Sequence, residues 1–270
     1  MFSCPLCKQL LREEPTRWVC PDGHSFDKAK SGYINLLPPS GKGQHGDDRT
    51  MLLARRDFLN GGYYAPLLKE LARLTDAYTD TKTPCLLDAG CGECYYTAGV
   101  SEELSRSGKT PTVYGVDISK EALILGGKRH CGAHLAAASL YKLPFEGGGF
   151  DLVYNVFAPL SAEEFHRVLK PCGVLLLAIP LERHLWELKA TLYKTPYENK
   201  VADTALPCFE FLGRTDVRFE MCLSDATAID CLFKMTPYYY RTPKSAAAQI
   251  ASLDTLSVNA EFAILAYRKI

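Results

Sequence analysis

The chain has 270 residues, enough for one α/β domain and a small additional module. Lys and Arg total 31, and Asp and Glu also total 31, so the net charge is zero and does not point to a polyanionic partner. No apolar run approaches the length of a membrane span and no charged-then-apolar leader is present, so we expect a cytoplasmic protein without a membrane segment. In that compartment the eleven cysteines are not expected to form a disulfide framework.

The first chemical motif lies at residues 4–24. Cys4 and Cys7 form a Cys-x-x-Cys pair, and Cys20 and His24 follow after twelve residues. Such a spacing suits tetrahedral zinc, and the intervening segment around Trp18 can form a hairpin that the ion closes. Three thiolates and one imidazole leave no open coordination position, so we predict one structural zinc per chain. A redox role for these cysteines is the alternative.

A candidate domain boundary follows this motif. Residues 31–39 are typical of a short strand that Pro38 and Pro39 terminate, because proline cannot continue a ladder. The next segment is polar and rich in glycine. We therefore predict a zinc-binding module at 1–40, a linker at 41–50 and the main α/β domain at 51–270.

Beyond the linker, the hydrophobic pattern alternates between helices and strands, which is typical of a doubly wound α/β fold. Besides the helices between the central strands, we expect helices at Arg49–Leu59 (capped by Asp48), Tyr64–Tyr78, Leu181–Leu192 and Ala226–Met235. Strands are expected at Cys85–Ala89, Thr112–Asp117, His134–Ala138, Phe150–Phe157, Gly173–Ile179, Val217–Leu223 and Leu256–Tyr267. The last two strands should form an antiparallel hairpin, preceded by an irregular insert that ends near Gly213.

The most informative segment is the turn after the first central strand, with the sequence Leu-Asp-Ala-Gly-Cys-Gly-Glu at residues 87–93. An apolar strand that ends in Gly-x-Gly and enters a helix is how a doubly wound sheet meets a nucleotide-like cofactor. A dinucleotide site would need a third glycine where Tyr95 stands. Asp117 closes the next strand, where a carboxylate can accept both ribose hydroxyls. The two signals together predict an S-adenosylmethionine site.

Cys91 and Cys94 place a second Cys-x-x-Cys at this helix start. The helix dipole would favour a thiolate there, which leaves a redox or metal role open. We favour a loop that tolerates cysteine in place of glycine, because the loop is already committed to the cofactor.

Further motifs extend over the whole chain. They are Gly-Tyr-x-Asn-Leu-Leu-Pro from Gly32, Ala-Arg-Arg-x-Phe-Leu from Ala54, Arg-His-Leu-x-Glu-Leu-Lys from Arg183 and Met-Thr-Pro from Met235. Together with the zinc motif and the Gly-x-Gly-Glu loop, they resemble the bacterial 23S ribosomal RNA (guanine-N1) methyltransferases of the RlmA type. The resemblance implies a Rossmann-like class I methyltransferase fold, one S-adenosylmethionine per chain and a zinc module that helps to hold RNA. It also implies a homodimer and methylation of a guanine in hairpin 35 of 23S ribosomal RNA.

The same resemblance assigns roles to single residues. It places the contacts to the methionine part of the cofactor on Tyr64, Gly92, Glu93 and His184, and the ribose contact on Asp117. The backbone at Gly90 can also approach the cofactor closely. Ser139 stands where many class I enzymes have an adenine-reading carboxylate. We therefore expect backbone groups and apolar walls such as Leu140 to hold the adenine.

Methyl transfer to guanine N1 requires alignment, exclusion of water and an acceptor for the N1 proton, which the sequence does not identify. Asn155 occupies the place where many base methyltransferases present an Asn-Pro-Pro-aromatic motif, so it is a candidate base contact. The alternative is a strand end that packs Phe157 into the core. Candidate phosphate contacts are Lys28, Lys30, Arg49, Arg55 and Arg56.

Two rival functions remain. A methyltransferase acting on a small molecule would share the glycine loop but needs no zinc module. A nonenzymatic zinc-ribbon protein that binds nucleic acid would not need the glycine loop or Asp117. The whole chain favours an RNA enzyme. Because the cofactor pocket begins at Tyr64, we expect cofactor binding to survive removal of residues 1–40.

Overall fold

The computed structural model describes residues 1–38, 48–201 and 205–270. The predicted linker at 41–50 therefore lies outside the described residues except at 48–50. Within these ranges the helices are α1 (Arg49–Asn60), α2 (Ala65–Ala77), α3 (Tyr95–Arg106), α4 (Lys120–Gly127), α5 (Ala162–Val168), α6 (Trp186–Leu192), α7 (Ala226–Lys234) and α8 (Lys244–Ala251). The strands are β1 (Arg12–Glu13), β2 (Arg17–Val19), β3 (Ser25–Asp27), β4 (Ile34–Asn35), β5 (Cys85–Ala89), β6 (Thr112–Asp117), β7 (His134–Ala137), β8 (Phe150–Val156), β9 (Leu169–Pro180), β10 (Phe209–Leu223) and β11 (Leu256–Lys269).

The larger sheet has the strand order β10-β11-β9-β8-β5-β6-β7-β4. Strands β4 to β9 are parallel wherever they pair, whereas β11 is antiparallel to both β9 and β10. This is the doubly wound fold that the sequence predicts, with the expected antiparallel hairpin at one edge. From β5 the chain adds β6 and β7 on one side of the sheet and then β8 and β9 on the other side of β5. In such sheets, ligands bind at the carboxyl ends of the strands beside this point.

Three parts of the fold differ from the sequence prediction. β10 begins at Phe209, so the end of the expected irregular insert is instead part of a long strand paired with β11. α6 begins at Trp186 rather than Leu181, because Leu185 has a φ of 56° and interrupts the helical geometry. The sequence pattern did not indicate α8. The predicted cap of α1 is confirmed, since the Asp48 carboxylate accepts the N–H of Met51 at 2.9 Å.

The amino-terminal region packs directly on the larger sheet. Its strands β1, β2 and β3 form a small antiparallel sheet, which includes the hairpin predicted around Trp18. The Phe2 ring lies 5.2 Å from Trp18, 5.2 Å from Tyr114 and 5.3 Å from Phe145, measured between ring centroids. β4 pairs with β7 and so adds an edge strand to the larger sheet. These contacts give the amino-terminal region a core that a segment of this size cannot form alone.

Buried apolar side chains lie on both faces of the larger sheet. Helices α1, α2, α3, α6, α7 and α8 contribute to the core on one face. The amino-terminal region and α5 contribute to the core on the other face. In the described part of the chain, no helix has both the length and the apolar character needed to cross a bilayer.

Candidate metal centre and cofactor site

The four predicted metal ligands lie together. The ligand atoms of Cys4, Cys7, Cys20 and His24 are all within 4.8 Å of one another. His24 Nδ1 is 3.6 Å from the Sγ of Cys4 and 3.3 Å from the Sγ of Cys20, and the Sγ atoms of Cys7 and Cys20 are 3.5 Å apart. Bonds of ~2.3 Å to tetrahedral zinc place sulfur ligands about 3.7 Å from one another. The donor set and its spacing therefore fit one zinc ion.

Two tight turns bring these ligands together. The N–H of Lys8 donates to the carbonyl of Cys4 at 2.9 Å, and Lys8 has a φ of 68°. In the second turn, the N–H of Gly23 donates to the carbonyl of Cys20 at 2.9 Å, and Gly23 has a φ of 82°, which glycine adopts without strain. Cys20 donates its own N–H to the carbonyl of His24 at 3.0 Å. The ligand pairs thus lie on turns that backbone hydrogen bonds define.

The glycine loop follows β5 and lies beside β6 and β8. Gly90 has a φ of 90°, and a Cβ there would lie 2.3 Å from the Cβ of Ala158, so a larger residue does not fit. The N–H groups of Gly90 and Cys91 both donate to the carbonyl of Val116, at 2.8 and 3.0 Å. Gly92 has a φ of 52°, and a Cβ there would meet no atom within 4 Å. The loop therefore leaves space at Gly92 for a ligand to approach the backbone.

Asp117 lies at the end of β6, next to the glycine loop. Its Oδ2 accepts the N–H of Gly92 and its Oδ1 accepts the N–H of Ser119, both at 2.8 Å. The carboxylate is thus held in place by backbone donors from the loop and from the start of α4. A carboxylate oxygen can accept more than one hydrogen bond. This geometry suits the expected contact with the ribose hydroxyls.

Glu93 is buried, with only 3 % of its surface exposed. Its Oε2 pairs with Arg129, whose Nε lies 2.6 Å from that oxygen and 2.9 Å from the Glu93 carbonyl. The other oxygen, Oε1, is buried without a hydrogen-bond partner among the described residues. Burial raises the pKa of Glu93, and the positive charge of Arg129 opposes that rise. A buried carboxylate oxygen without a donor is unfavourable, and a ligand ammonium group would supply one.

The sequence did not point to Arg129. Besides Glu93, its Nη2 donates to Oδ1 of Asn60 at the end of α1, at 2.9 Å, and its guanidinium lies 5.5 Å from the ring centroid of Tyr95. Arg129, in the segment after α4, thus connects the end of α1 to the glycine loop. Its only signal in the sequence is a positive charge, which is common on a solvated surface.

Tyr64 and His184 come together although they lie far apart in the sequence. Their ring centroids are 6.3 Å apart, and both rings pack on Phe262, at 5.0 and 4.5 Å. The Nδ1 of His184 accepts the N–H of Glu261 at 3.2 Å. Burial lowers the pKa of His184 to about 3, and the charge of Lys189 acts in the same direction. The ring is therefore neutral and carries its proton on Nε2, so His184 can donate a hydrogen bond through that atom.

Leu140 lies on another side of the glycine loop. The residue is buried, and its Cδ1 is 3.7 Å from the position that a Cβ on Gly90 would take. Leu140 belongs to a turn in which the N–H of Lys142 donates to the carbonyl of Ser139 at 3.1 Å. An apolar side chain is therefore available where we expect the wall of the adenine pocket.

Asn155 lies at the end of β8 with its side chain buried. Its Nδ2 donates to the carbonyl of Ala89 at 2.8 Å and to that of Pro159 at 3.4 Å, so it connects β5 to the turn after β8. Phe157 in this turn is 46 % exposed and has a φ of 57°. The alternative in which Phe157 packs into the core is therefore wrong. Its ring lies 5.2 Å from that of Phe262 and is partly open to solvent.

The Cys91 and Cys94 thiols are both buried. Burial raises the pKa of Cys91 well above its usual range, which is opposite to the shift expected of a reactive thiolate. A Cβ on Gly115 would lie 3.0 Å from the Sγ of Cys91, and one on Gly126 would lie 2.5 Å from the Sγ of Cys94. Each thiol therefore fills space opposite a glycine, which supports a packing role.

Asp88 is a third acid near the glycine loop, in addition to Asp117 and Glu93, and the sequence pattern assigned no role to it. It is buried, and its Oδ2 accepts the Thr97 hydroxyl at 2.6 Å. Burial raises the pKa of Asp88 to about 7, an effect that the nearby charge of Asp117 increases. Asp88 therefore connects β5 to the first turn of α3 under the loop.

Known protein families and structures match both parts of the chain. Residues 2–44 match the family model described as "RlmA, N-terminal", a zinc ribbon, and residues 86–173 match a model described as a methyltransferase domain. The solved structure of a provisionally assigned methyltransferase from Bacillus halodurans aligns with a TM-score of 0.50 and 16 % identity. That alignment covers 74 % of this chain and 99 % of the other. Because the identity is low, this match shows only that the two proteins share a fold.

Two named relatives align with nearly the full length of the chain. The "23S rRNA (guanine(748)-N(1))-methyltransferase" of Streptomyces fradiae is 33 % identical over 95 % of this chain and 94 % of the relative. The "Putative 23S rRNA (guanine-N(1)-)-methyltransferase YxjB" of Bacillus subtilis is 29 % identical over 98 % of this chain and 96 % of the relative. The predicted fold is confirmed as a class I S-adenosylmethionine-dependent methyltransferase fold with an amino-terminal zinc ribbon, and zinc and S-adenosylmethionine are its cofactors. The chain belongs to the 23S ribosomal RNA (guanine-N1) methyltransferase family.

Proposed function

We propose that this protein transfers a methyl group from S-adenosylmethionine to N1 of a guanine in hairpin 35 of 23S ribosomal RNA. The observation that carries the proposal is the 33 % identity, over 95 % of the chain, to a relative named for methylation of guanine 748. The presence of both the zinc cluster and the glycine loop supports an RNA enzyme over either rival function. Of the two nearby guanines in the hairpin, the one named for that relative is the first to test.

The chain offers complementary groups for each part of the cofactor. Asp117 would accept the ribose hydroxyls, and the open backbone at Gly90 and Gly92 would lie against the cofactor chain. The unpartnered Oε1 of Glu93 would accept the ammonium group. The following residues would complete the pocket: Tyr64 and His184 on the methionine side, and Leu140 beside the adenine. His184 would donate from Nε2 to the cofactor carboxylate.

When bound, S-adenosylmethionine supplies an electrophilic methyl group on its sulfonium, and the residues around it need only align the acceptor and exclude water. The partly exposed Phe157 ring offers a face on which an extruded guanine can stack. The Asn155 Nδ2 already donates to two backbone carbonyls, so Asn155 would contact the base through its Oδ1. His184 is not the acceptor of the N1 proton, because its Nδ1 already accepts a backbone N–H.

Further parts of the proposal concern partners and location. The zinc ribbon would help to hold the RNA and two chains would form a homodimer, as the family resemblance implies. The protein would act in the cytoplasm, where its ribosomal RNA substrate is found.

A direct test uses the purified full chain, S-adenosylmethionine and a transcript of hairpin 35. We expect N1-methylguanine at one position, mapped by nuclease digestion and mass spectrometry. A matched transcript with adenine at that position should remain unmethylated there. Methylation of a small metabolite with no modification of ribosomal RNA would contradict the proposal and support the small-molecule class.

A further inference from the structure

A cleft separates the end of the amino-terminal region from the carboxyl-terminal half of α4 and the segment that follows it. We call it the ribbon–helix cleft; it has a volume of about 610 Å³ and is lined by residues 29–33, by Ile124 and by residues 126–128 and 130–133 together with Leu135. The two walls approach closely at Gly127, where a Cβ would lie 1.8 Å from the carbonyl oxygen of Ser31. Glycine at this position therefore determines the shape of the cleft. The volume is within the range of ~300–1,000 Å³ that is typical of ligand sites.

The lining of the cleft is cationic at its rim and apolar inside. Lys30, Lys128 and His130 are exposed, while Tyr33 and Leu135 are buried. No Asp or Glu is among the lining residues. Among the described residues, neither lysine forms an ion pair, in contrast to Lys28, which pairs with Glu13, and Arg129, which pairs with Glu93. In a chain with no net charge, this cleft therefore concentrates uncompensated positive charge.

One wall of the cleft packs against the glycine loop. Lys128 and His130 flank Arg129, whose guanidinium binds Glu93. On the same wall, a Cβ on Gly126 would lie 2.5 Å from the Sγ of Cys94, which is part of the loop. A polyanion in the cleft would thus touch both the amino-terminal region and the segment that supports the cofactor loop.

We propose that the ribbon–helix cleft binds the phosphodiester backbone of the RNA substrate, with Lys30 and Lys128 contacting phosphates. The apolar interior can receive a ribose or a base of the RNA. A free anion such as inorganic phosphate has no group that would fill this interior. This inference rests on the proposed action on RNA and adds a binding surface to it. Phosphate contacts of this kind orient the strand without reading its sequence.

The test measures binding of a hairpin 35 transcript to the full chain between 50 and 200 mM salt. The variants are Lys30→Gln, Lys128→Gln and the double variant, with Lys69→Gln as the control because Lys69 is exposed on α2 and does not line the cleft. Each cleft substitution should weaken binding roughly three- to tenfold at low salt. It should also reduce the slope of log K against log salt by about 0.7–0.9 per lost phosphate contact. Affinity for S-adenosylmethionine should remain at the wild-type value in all variants.

The outcomes separate this inference from the proposed function. If the wild-type protein methylates the hairpin but the double variant keeps its affinity and salt slope, the cleft is not an RNA site and the proposed function stands. Weaker binding with an unchanged slope would also overturn the phosphate assignment. If the wild-type protein neither binds nor methylates the hairpin but methylates a small molecule, the proposed function is wrong, and the inference about the cleft, which rests on it, is wrong as well.

Discussion

The zinc centre and the cofactor site are built in different ways. All four zinc ligands lie within residues 4–24 and are brought together by two local turns. The candidate cofactor residues lie before α2, after β5, at the end of β6, after β7 and before α6, so a site that includes all of them depends on the assembled sheet. A change at the zinc centre should therefore disturb folding, whereas a change at the cofactor site should mainly alter affinity.

The largest expected effect is that of Cys20→Ala. Loss of one ligand opens the closed site, and metal binding contributes to the folding free energy of such modules. We expect the zinc content to fall from about one per chain to near zero and the melting temperature to fall clearly. Metal analysis and thermal unfolding measure both effects.

The matched control is Cys172→Ala, because Cys172 is exposed and far from the zinc motif in the chain. It should keep both the zinc content and the melting temperature. If Cys20→Ala keeps its zinc, the proposed ligand set is wrong. A chelator should reproduce the effect of Cys20→Ala on the wild-type protein, since it removes the same ion.

Removal of residues 1–40 is a less clean comparison than the sequence alone suggests. Phe2 packs on Tyr114 and Phe145, and Ile34 belongs to the edge strand of the larger sheet. Truncation would expose this apolar surface, so the structure leads us to expect a destabilised shortened chain rather than one that binds the cofactor normally. Point substitutions separate the two regions better.

The pH dependence of stability should also separate the two regions. Acid should release zinc, because thiolates and imidazole must lose protons to bind it. Protonation of Asp88 in acid should instead stabilise the folded state. The pKa of Asp88 is about 7 in the folded chain against a usual value of 3.8, so the folded state binds this proton more tightly. Its stabilising contribution is complete below about pH 4 and is lost as pH rises through 7.

Asp88→Asn tests this contribution. The substituted amide would keep an acceptor for the Thr97 hydroxyl but would not ionise. Between pH 5 and 8, the free energy of unfolding of the variant should rise relative to that of the wild type by about 2.5 kcal/mol, because this window covers roughly two pH units below the folded-state pKa of about 7 and each unit corresponds to ~1.4 kcal/mol. Chemical denaturation in excess zinc measures this difference. A difference that stays constant with pH would mean that Asp88 is ionised throughout.

At the cofactor site, Asp117→Ala should weaken S-adenosylmethionine binding by roughly 1.5–3 kcal/mol, because it removes a charged acceptor. The same change removes the acceptor of the Gly92 N–H, so the loop loses a support as well. Asp117→Asn keeps one acceptor and should weaken binding less than Asp117→Ala. Calorimetric titration of both variants gives the comparison, and wild-type affinity in Asp117→Ala would remove this residue from the site.

The difference between the two regions also explains what the sequence could predict. Ligand spacing predicts the zinc centre because the ligand pairs are close in the chain, and the two predicted signals of the cofactor loop follow from the order of strand, turn and strand. The pairing of Arg129 with Glu93, and of Arg129 with Asn60, depends on how α1 and α4 lie on the sheet, and no local pattern encodes it. Likewise, the exposure of Phe157 depends on its positive φ, which the residue type does not indicate.

The smallest of these effects concerns Arg129 and tests how Glu93 is held. Arg129 binds only one oxygen of Glu93 and leaves Oε1 for the cofactor ammonium, so Arg129→Met should let the carboxylate reorient. We expect the affinity for S-adenosylmethionine to fall by about 1–2 kcal/mol, at or just below the low end of the ~1.5–3 kcal/mol that a hydrogen bond to a charged group contributes. Methylthioadenosine lacks the amino-acid part of the cofactor, so its affinity should hardly change. Arg106→Met is the control, because Arg106 pairs with exposed glutamates on α3. Equal weakening of both ligands would mean that Arg129 only shapes the loop, whereas selective weakening, partly restored in Arg129→Lys, would show that it positions Glu93 for the ammonium group.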